Sequence, residues 1–307
     1  VEHRGPPRDT SVAGRTSVFN GPDTGPDARI PQNANPEAFW NQYFALLNYY
    51  NCNLVRIGAG DTWGTDLQYK AYANHRAEYF GLLDTMLDKA EKHGVWVVLV
   101  LAGSQSEPEA PYPFGAVASD ERTDKVFSPG SDAFNHYIEY CKDIMTSLED
   151  HCSLGWYDLF NEPDHDKVNE NYWHNDKAAF NTWARAVAAG TANVTARPRT
   201  MGVAGFGTMF GWGQEDFNLA TGNTGFEIAH RHYYGSSSDK YLFSEPEQWA
   251  RNCGVPLFWG ELANNADYPL ERWTFGENAI FESGGRAVAA MVLNGTPGYP
   301  YTGSTLP

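Results

Sequence analysis

Two glutamates each follow an apolar, strand-like segment of this 307-residue chain. Glu162 comes after the segment 154–160, and Glu261 comes after the segment 255–260. If both segments are strands of one parallel barrel, their carboxyl ends share a rim, and the two carboxylates face each other across its mouth. Arg56 lies near the end of a third such segment. The sequence thus predicts two opposed carboxylates with a guanidinium close by.

Two opposed carboxylates with a neighbouring cation can cleave a glycosidic bond. One stays protonated and donates to the leaving oxygen, while the other attacks or stabilises the anomeric carbon. The surroundings must separate the two pKa values, and we expect Arg56 to favour the ionised form of one carboxylate. A single glutamate after a strand is usually solvated or caps the next helix, so the prediction depends on the joint placement of Glu162 and Glu261.

The elements that must position these residues alternate between strands and helices from about residue 35 onward. Counting a first strand within 12–19, the pattern predicts eight strands and seven helices, and hence an α/β protein with a closed (β/α)8 barrel. An open doubly wound sheet is the alternative, although no Gly-rich phosphate loop follows any strand. The predicted helices span about 35–50, 79–94, 131–149, 177–195, 213–220, 245–252 and 276–284, and the further strands span about 53–58, 95–101, 154–160, 200–206, 226–234, 255–260 and 287–293.

The chain is predicted to form a single domain over residues 1–307, because no linker or change in composition divides it. Residues 1–34 are rich in Gly, Pro and Asp, and we expect an irregular segment that contains the first strand. Residues 294–307 are too few and too rich in Gly and Pro for a full closing helix. We therefore expect this helix to be absent, or the chain to have been cut from a longer one.

The charge balance argues against several classes of partner. The chain has 22 Lys and Arg against 38 Asp and Glu, a formal net charge of −16, which repels nucleic-acid phosphates and anionic lipid. Its most apolar stretch, 95–103, is far shorter than the roughly 20 residues of a membrane-spanning helix. We expect no nucleic-acid or membrane partner, and we expect no cofactor, because the chain has no nucleotide-binding loop and no typical zinc spacing.

The four cysteines, Cys52, Cys141, Cys152 and Cys253, are too few for a disulfide framework. Cys141 and Cys152 could form one bond, but an isolated cysteine is more often a small buried apolar residue. The chain begins at Val1 rather than Met. We expect a secreted, extracellular protein whose signal peptide has been removed.

The segment Leu159–Pro163 (Leu-Phe-Asn-Glu-Pro) together with Trp259–Glu261 (Trp-Gly-Glu) resembles the clan A glycoside hydrolases, and most of all family 5, the cellulases and mannanases. The resemblance extends over about residues 35–295. It implies that Glu162 is the acid/base and Glu261 the nucleophile. It also implies supporting roles: Asn161 bonds the sugar 2-hydroxyl, Arg56 lies beside the nucleophile, and His232 and Tyr234 match the family's His-x-Tyr motif, whose Tyr holds the nucleophile. We further expect Glu162 to lack a close cation, so that its proton is held more tightly.

The chain departs from the family pattern in two places. The His usual after the third strand is missing from the segment 101–105, and the Trp usual after the eighth strand is missing from the segment 291–295. The chain would thus be an outlying member. Aromatic residues on the rim could replace the lost sugar platform, and we expect substrate binding by Trp63, Tyr112, Trp212 and Trp259.

The leading functional prediction is a retaining, endo-acting glycoside hydrolase that cleaves β-linked polysaccharide, with a polysaccharide or oligosaccharide as its partner. A carbohydrate-binding barrel without catalysis is an alternative, but binding alone needs neither an acid nor a nucleophile. A metal-dependent barrel hydrolase using His230 and His232 is a third possibility, for which no further ligand is identifiable in the sequence.

Overall fold

The fold is described by a computed structural model of the chain. The predicted first strand at 12–19, the helices at 213–220 and 276–284, and the segment 294–307 all lie outside the described residues. The described residues are 36–49, 52–59, 72–102, 126–164, 176–203, 225–234, 241–263 and 287–292.

Strands and helices alternate through the described residues, as predicted. The strands are β1 (Leu54–Gly58), β2 (Trp96–Val100), β3 (Leu154–Asn161), β4 (Arg199–Gly202), β5 (Ala229–Tyr234), β6 (Leu257–Ala263) and β7 (Ala287–Val292). The helices are α1 (Pro36–Tyr49), α2 (Arg76–Lys92), α3 (Asp132–Ser147), α4 (Lys177–Gly190) and α5 (Tyr241–Cys253).

All described strand pairs are parallel and follow chain order. One sheet runs β1-β2-β3-β4 and a second runs β5-β6-β7. A parallel bridge between Val203 and Arg231 joins the two sheets, and β7 contacts β1 on the other side. A doubly wound sheet would reverse its strand order at a switch point, whereas this order advances steadily around a ring. The arrangement is that of the (β/α)8 barrel.

The helices bury one face against the outside of the strands. In α2 the buried residues recur at helical spacing: Tyr79, Leu83, Met86, Leu87 and Ala90. They belong to one large cluster that also takes in the outward-facing strand residues, such as Val97 and Leu99. This layer between helices and strands is the main core.

The inside of the barrel holds a smaller apolar layer, and polar residues lie above it. Val98, Trp156, Ile228 and Phe258 pack there, with Leu54 against them. Side chains two residues apart on a strand share a face, so the next inward positions after Leu54, Trp156 and Ile228 are those of a second layer. That second layer is polar, and it consists of Arg56, Asp158 and His230.

Three helix boundaries differ from prediction by three residues or more, and the first is the start of α2 at Arg76 rather than near 79. The helix α4 ends at Gly190 rather than near 195, and Asn193 then adopts a φ of 60°, a left-handed conformation that cannot continue a right-handed helix. The helix α5 begins at Tyr241, earlier than predicted, and contains Pro246.

Among the described helices, none combines the length and apolar character that a membrane crossing requires. All four cysteines are free thiols, with Cys141 buried in α3.

Candidate active site

Arg56 is the centre of a hydrogen-bonded group at the carboxyl ends of the strands. Its Nε donates to Asp158 Oδ2 at 2.8 Å, and its Nη1 donates to Glu261 Oε1 at 2.7 Å. Its Nη2 donates to Asn161 Oδ1 at 2.6 Å and also lies 2.7 Å from Asp158 Oδ2. Burial disfavours the charged guanidinium, but the charges of Asp158 and Glu261 outweigh burial and raise the pKa of Arg56. One side chain from β1 thus connects β3 to β6.

Glu162 follows β3 at a sharp turn of the backbone. Its φ of 46° is in the left-handed region, which costs a residue other than Gly on the order of 1–3 kcal/mol. The turn is held because Glu162 N donates to Gly202 O at 2.6 Å and Asn161 N donates to Ala102 O at 2.7 Å. The turned carboxylate has its Oε1 2.6 Å from His232 Nδ1. The strained backbone therefore serves to direct Glu162 towards the histidine on β5.

Glu261 reaches the same rim because β6 has an irregularity at Gly260. Arg231 is paired with Trp259, yet the next residue of β5, His232, is paired with Glu261. Gly260 is thus an extra residue on its strand, as in a β-bulge, and the bulge changes the face to which the following side chain points. Glu261 shares the inner face with His232, and its Oε1 lies 3.7 Å from His232 Nδ1.

The two predicted glutamates are close together. One carboxylate oxygen of Glu162, one of Glu261 and one ring nitrogen of His232 lie within 4.8 Å of one another. The structure therefore brings together the predicted residues Arg56, Asn161, Glu162, His232 and Glu261 at one end of the barrel.

His232 lies between the two glutamates, with its Nδ1 2.6 Å from Glu162 Oε1 and 3.7 Å from Glu261 Oε1. Burial disfavours its imidazolium, but the charge of Glu261 and the hydrogen bond with Glu162 outweigh burial and raise the pKa of His232. An imidazole whose pKa is raised thus lies next to Glu162, contrary to the expectation that this carboxyl has no cationic group close by. The sequence predicts His232 on the same rim, but strand spacing does not reveal which carboxylate its ring meets.

Asp158 and His230 belong to the same group, although neither residue is predicted there from the sequence. Asp158 is fully buried, and burial raises the pKa of its carboxyl, although Arg56 opposes this effect. Gly202 N donates to Asp158 Oδ1 at 2.9 Å. His230 Nε2 lies 3.1 Å from His232 Nε2, and burial holds the pKa of His230 well below its usual value. Asp158 is a charged residue inside the apolar segment 154–160, and this position could have indicated that it belongs to the site.

Two glycines leave the space that this group occupies. A Cβ on Gly260 would lie 1.7 Å from His230 Nε2, closer than any real contact. A Cβ on Gly202 would lie 2.9 Å from Asp158 Oδ2, 3.0 Å from His230 Cε1 and 3.1 Å from Arg56 Nη2. Any larger residue at Gly260 would displace the His230 ring.

The distances among Glu162, His232 and Glu261 would also suit three ligands of a metal ion. Glu261, however, already carries the Arg56 guanidinium at 2.7 Å, and a metal cation there would be repelled by it. His232 Nδ1 and Nε2 both have hydrogen-bond partners, so a metal would have to displace one of them. The group is better suited to proton transfer and nucleophilic attack by a carboxylate than to metal binding.

The predicted aromatic platforms are mostly not described. Trp63, Tyr112 and Trp212 lie outside the described residues, as does the predicted contact of the Tyr234 side chain with Glu261. Trp259 is 1% exposed, and its register partner Arg231 places its guanidinium 5.8 Å from the Trp249 ring of α5. Cross-strand partners share a face, so Trp259 faces the helices. The structure thus contradicts the prediction that Trp259 binds substrate.

Replacing Gly260 by Ala is expected to destabilise the protein by about 1–3 kcal/mol, because the new Cβ must displace the His230 ring. Urea denaturation measures the change. Gly81→Ala is the matched control, since a Cβ on Gly81 of α2 meets nothing within 4 Å. This control should be neutral or stabilising by roughly 0.5–1 kcal/mol. Equal free energies of unfolding for the two variants would contradict the packing described.

The raised pKa of His232 predicts a pH-dependent contribution to stability. The contribution is fully present below the unfolded-state pKa of about 6.5, and it is lost as the pH rises through the higher folded-state pKa. His232→Gln should therefore reduce the free energy of unfolding more at about pH 6 than at about pH 9. Exposed His136 supplies the control variant, His136→Gln. A loss for His232→Gln that stays constant or grows with pH would be inconsistent with the geometry.

The fold is similar to solved glycosidase structures. The sequence itself matches no protein-family model and no curated protein. The structure superposes on the hyperthermostable endo-1,4-β-D-mannanase of Thermotoga petrophila with a TM-score of 0.59 and 13% identity, over 82% of this chain and 83% of that one. For the exo-β-1,4-mannosidase of an Opitutaceae bacterium the TM-score is 0.63 and the identity 18%, over 94% of this chain and 53% of that one.

A family 5 glycoside hydrolase of Streptomyces cattleya, solved with the disaccharide Manβ1-4GlcNAc, gives a TM-score of 0.58 and 15% identity, over 84% of this chain and 65% of that one. These similar structures are (β/α)8 barrels. The similarity covers most of the chain and confirms the predicted barrel. At the level of the fold, the protein is an α/β barrel of the kind found in these glycosidases.

Proposed function

We propose that the protein is a retaining glycoside hydrolase that cleaves β-linked polysaccharide by double displacement. The observation that carries this proposal is the pair of carboxylates, Glu162 and Glu261, within 4.8 Å at one end of the barrel. Arg56 binds one of them and His232 the other, so the two carboxylates have different surroundings. Different surroundings are what an acid and a nucleophile require of two otherwise identical groups.

The separation of the carboxylates favours retention of configuration. An inverting enzyme needs room for a water molecule, with its carboxyl groups roughly 6.5–9.5 Å apart. A retaining enzyme needs about 5–5.5 Å, so that one carboxylate reaches the anomeric carbon directly. One oxygen of Glu162 and one of Glu261 lie within 4.8 Å of each other, which is closer to the retaining separation than to the inverting one.

Glu261 is assigned the role of nucleophile because Arg56 Nη1 donates to its Oε1. The guanidinium stabilises negative charge on this carboxylate and fixes its orientation. In the first step Glu261 attacks the anomeric carbon, a covalent glycosyl-enzyme forms, and the bond from that carbon to the leaving oxygen breaks. Burial of Arg56 strengthens the effect, since its side chain is only 8% exposed.

Glu162 is assigned the role of acid/base. In the first step its carboxyl proton goes to the leaving oxygen, and in the second step its carboxylate takes a proton from the attacking water. The water oxygen then displaces Glu261 from the anomeric carbon and restores the free carboxylate. His232 Nδ1, 2.6 Å from Glu162, stabilises the carboxylate between the two steps.

Asn161 is assigned to substrate binding. Its Oδ1 accepts from Arg56 Nη2 at 2.6 Å, which fixes the amide and leaves its nitrogen to donate to a sugar hydroxyl. We expect the sugar to be mannose or glucose in β-1,4 linkage, with mannan first. Support for mannan is the fold likeness to endo-1,4-β-mannanase and exo-β-1,4-mannosidase structures.

The experiment that tests the proposal is a reducing-sugar assay on β-1,4-mannan, β-1,4-glucan and β-1,4-xylan. We expect release of oligosaccharides from mannan or glucan, with no change on addition of a chelator. Binding to these polysaccharides without release would instead indicate a carbohydrate-binding barrel. Loss of activity on chelation, restored by a divalent metal, would indicate a metal-dependent hydrolase.

The two glutamates should respond differently to substitution. Glu261→Ala should abolish turnover, and added azide should restore it with an inverted glycosyl azide as the product, because the small anion fits where the carboxylate was. Glu162→Ala should lower the rate by about 10²–10⁴ on substrates with poor leaving groups, and much less in the first step with activated aryl glycosides.

The control for both variants is Glu139→Ala, at an exposed position on α3, which should retain normal turnover. Rescue of Glu162→Ala rather than Glu261→Ala as an inverted azide product would exchange the two roles. Full activity in both glutamate variants would contradict the proposal.

A further inference from the structure

His230 lies between Asp158 and His232 in the active-site group. Its Nε2 lies 3.1 Å from His232 Nε2, and its Nδ1 lies 3.6 Å from Asp158 Oδ2. His232 Nδ1 in turn lies 2.6 Å from Glu162 Oε1. A continuous chain of polar groups therefore runs from Asp158 through two imidazoles to the proposed acid/base.

The barrel is built around the His230 ring. His230 is 0% exposed, and the glycines Gly202 on β4 and Gly260 on β6 flank it from the neighbouring strands. Side chains at either glycine would meet the ring at 3.0 Å or less. A polar ring in such a site has lost its water, so its remaining contacts decide where its proton lies.

The charges around His230 favour one tautomer, although its Nδ1 makes no hydrogen bond within the described residues. Its Nδ1 faces the Asp158 carboxylate, which receives N–H groups from Arg56 and Gly202 and so is bound as an anion. A proton on Nδ1 is attracted by that anion, whereas a lone pair would be repelled. With its single proton on Nδ1, neutral His230 presents an unprotonated Nε2, which can only accept a hydrogen bond from His232 Nε2–H.

We propose that His230 is a positioning residue that accepts a hydrogen bond from His232 Nε2–H and so confines proton exchange with Glu162 to His232 Nδ1. The proposal rests on the proposed role of Glu162 as acid/base. His232 keeps its Nε2 proton throughout, and Glu162 and His232 Nδ1 hold one further proton between them. When Glu162 gives its proton to the leaving oxygen, no second route through His232 Nε2 competes for it.

The charge of His232 also depends on the other groups that face this chain of residues. Among the described residues, the charged and titratable groups around the two histidines are Arg56 from β1, Asp158 from β3, Glu162 directly after β3, and Glu261 from β6. Burial holds the pKa of His230 well below its usual value, in agreement with a neutral ring. The charge of Glu261 and the hydrogen bond with Glu162 raise the pKa of His232, in agreement with a proton kept at Nε2.

The direct test is nitrogen NMR of the whole protein labelled with ¹⁵N-histidine, with His230→Gln and His232→Gln used for assignment. From about pH 5 to about pH 9 we expect a neutral His230 protonated at Nδ1, and a His232 that keeps its Nε2 proton. A His230 protonated at Nε2, or a His232 that loses its Nε2 proton in this range, would overturn the proposal. This measurement does not depend on enzymatic activity, so a failure of this proposal can be distinguished from a failure of the proposed function.

The kinetic test compares His230→Leu with His230→Gln. Leu cannot accept a hydrogen bond, whereas the Gln oxygen can reach the position of Nε2. His230→Leu should lose about tenfold more kcat on a poor leaving group than on an activated aryl glycoside, with KM little changed. His230→Gln should recover most of that difference. Equal losses on both substrates, or equal behaviour of the two variants, would show a structural role only and overturn the proposal.

Discussion

The active-site group depends on the burial of one cation inside the barrel. The Arg56 side chain is 8% exposed, and a buried guanidinium is tolerated only where anions and acceptors surround it. Asp158, Asn161 and Glu261 supply them from β3 and β6. Because Arg56 stands on β1, these bonds cross the barrel and fix the relative positions of three strands. The orientation of Glu261 therefore follows from the need to neutralise a buried charge.

The irregular backbone of the rim follows from the same requirement. Below the polar layer, the strands carry an apolar layer that includes Val98 and Phe258. Above it, β6 has an extra residue at Gly260 and the chain leaves β3 through the left-handed conformation of Glu162. A regular strand would turn one of the two carboxylates away from the barrel axis. Strain is thus stored where the chemistry is proposed to occur.

The periodicity of the sequence was sufficient to predict the barrel, but it did not predict the contacts between side chains inside the barrel. The alternation of helices and strands, and charged residues at strand ends, predicted the shared rim of Glu162 and Glu261. Asp158 was missed because strand periodicity distinguishes inner from outer positions and does not reveal which polar atoms meet across a barrel. The irregularity at Gly260 has no signature in spacing, and Trp259 was therefore assigned to the cleft although it faces the helices.

The central claim is that Glu261, held by Arg56, attacks the sugar directly while Glu162 handles the proton. Incubation with an activated 2-deoxy-2-fluoro glycoside of the sugar that the enzyme cleaves tests it most directly, because the fluorine slows hydrolysis of the glycosyl-enzyme. Digestion and mass spectrometry then locate the label. The account predicts one glycosyl group per chain, on the peptide that contains Glu261. Labelling of Glu162, or an active enzyme that gives no covalent adduct and releases an inverted product, would contradict it.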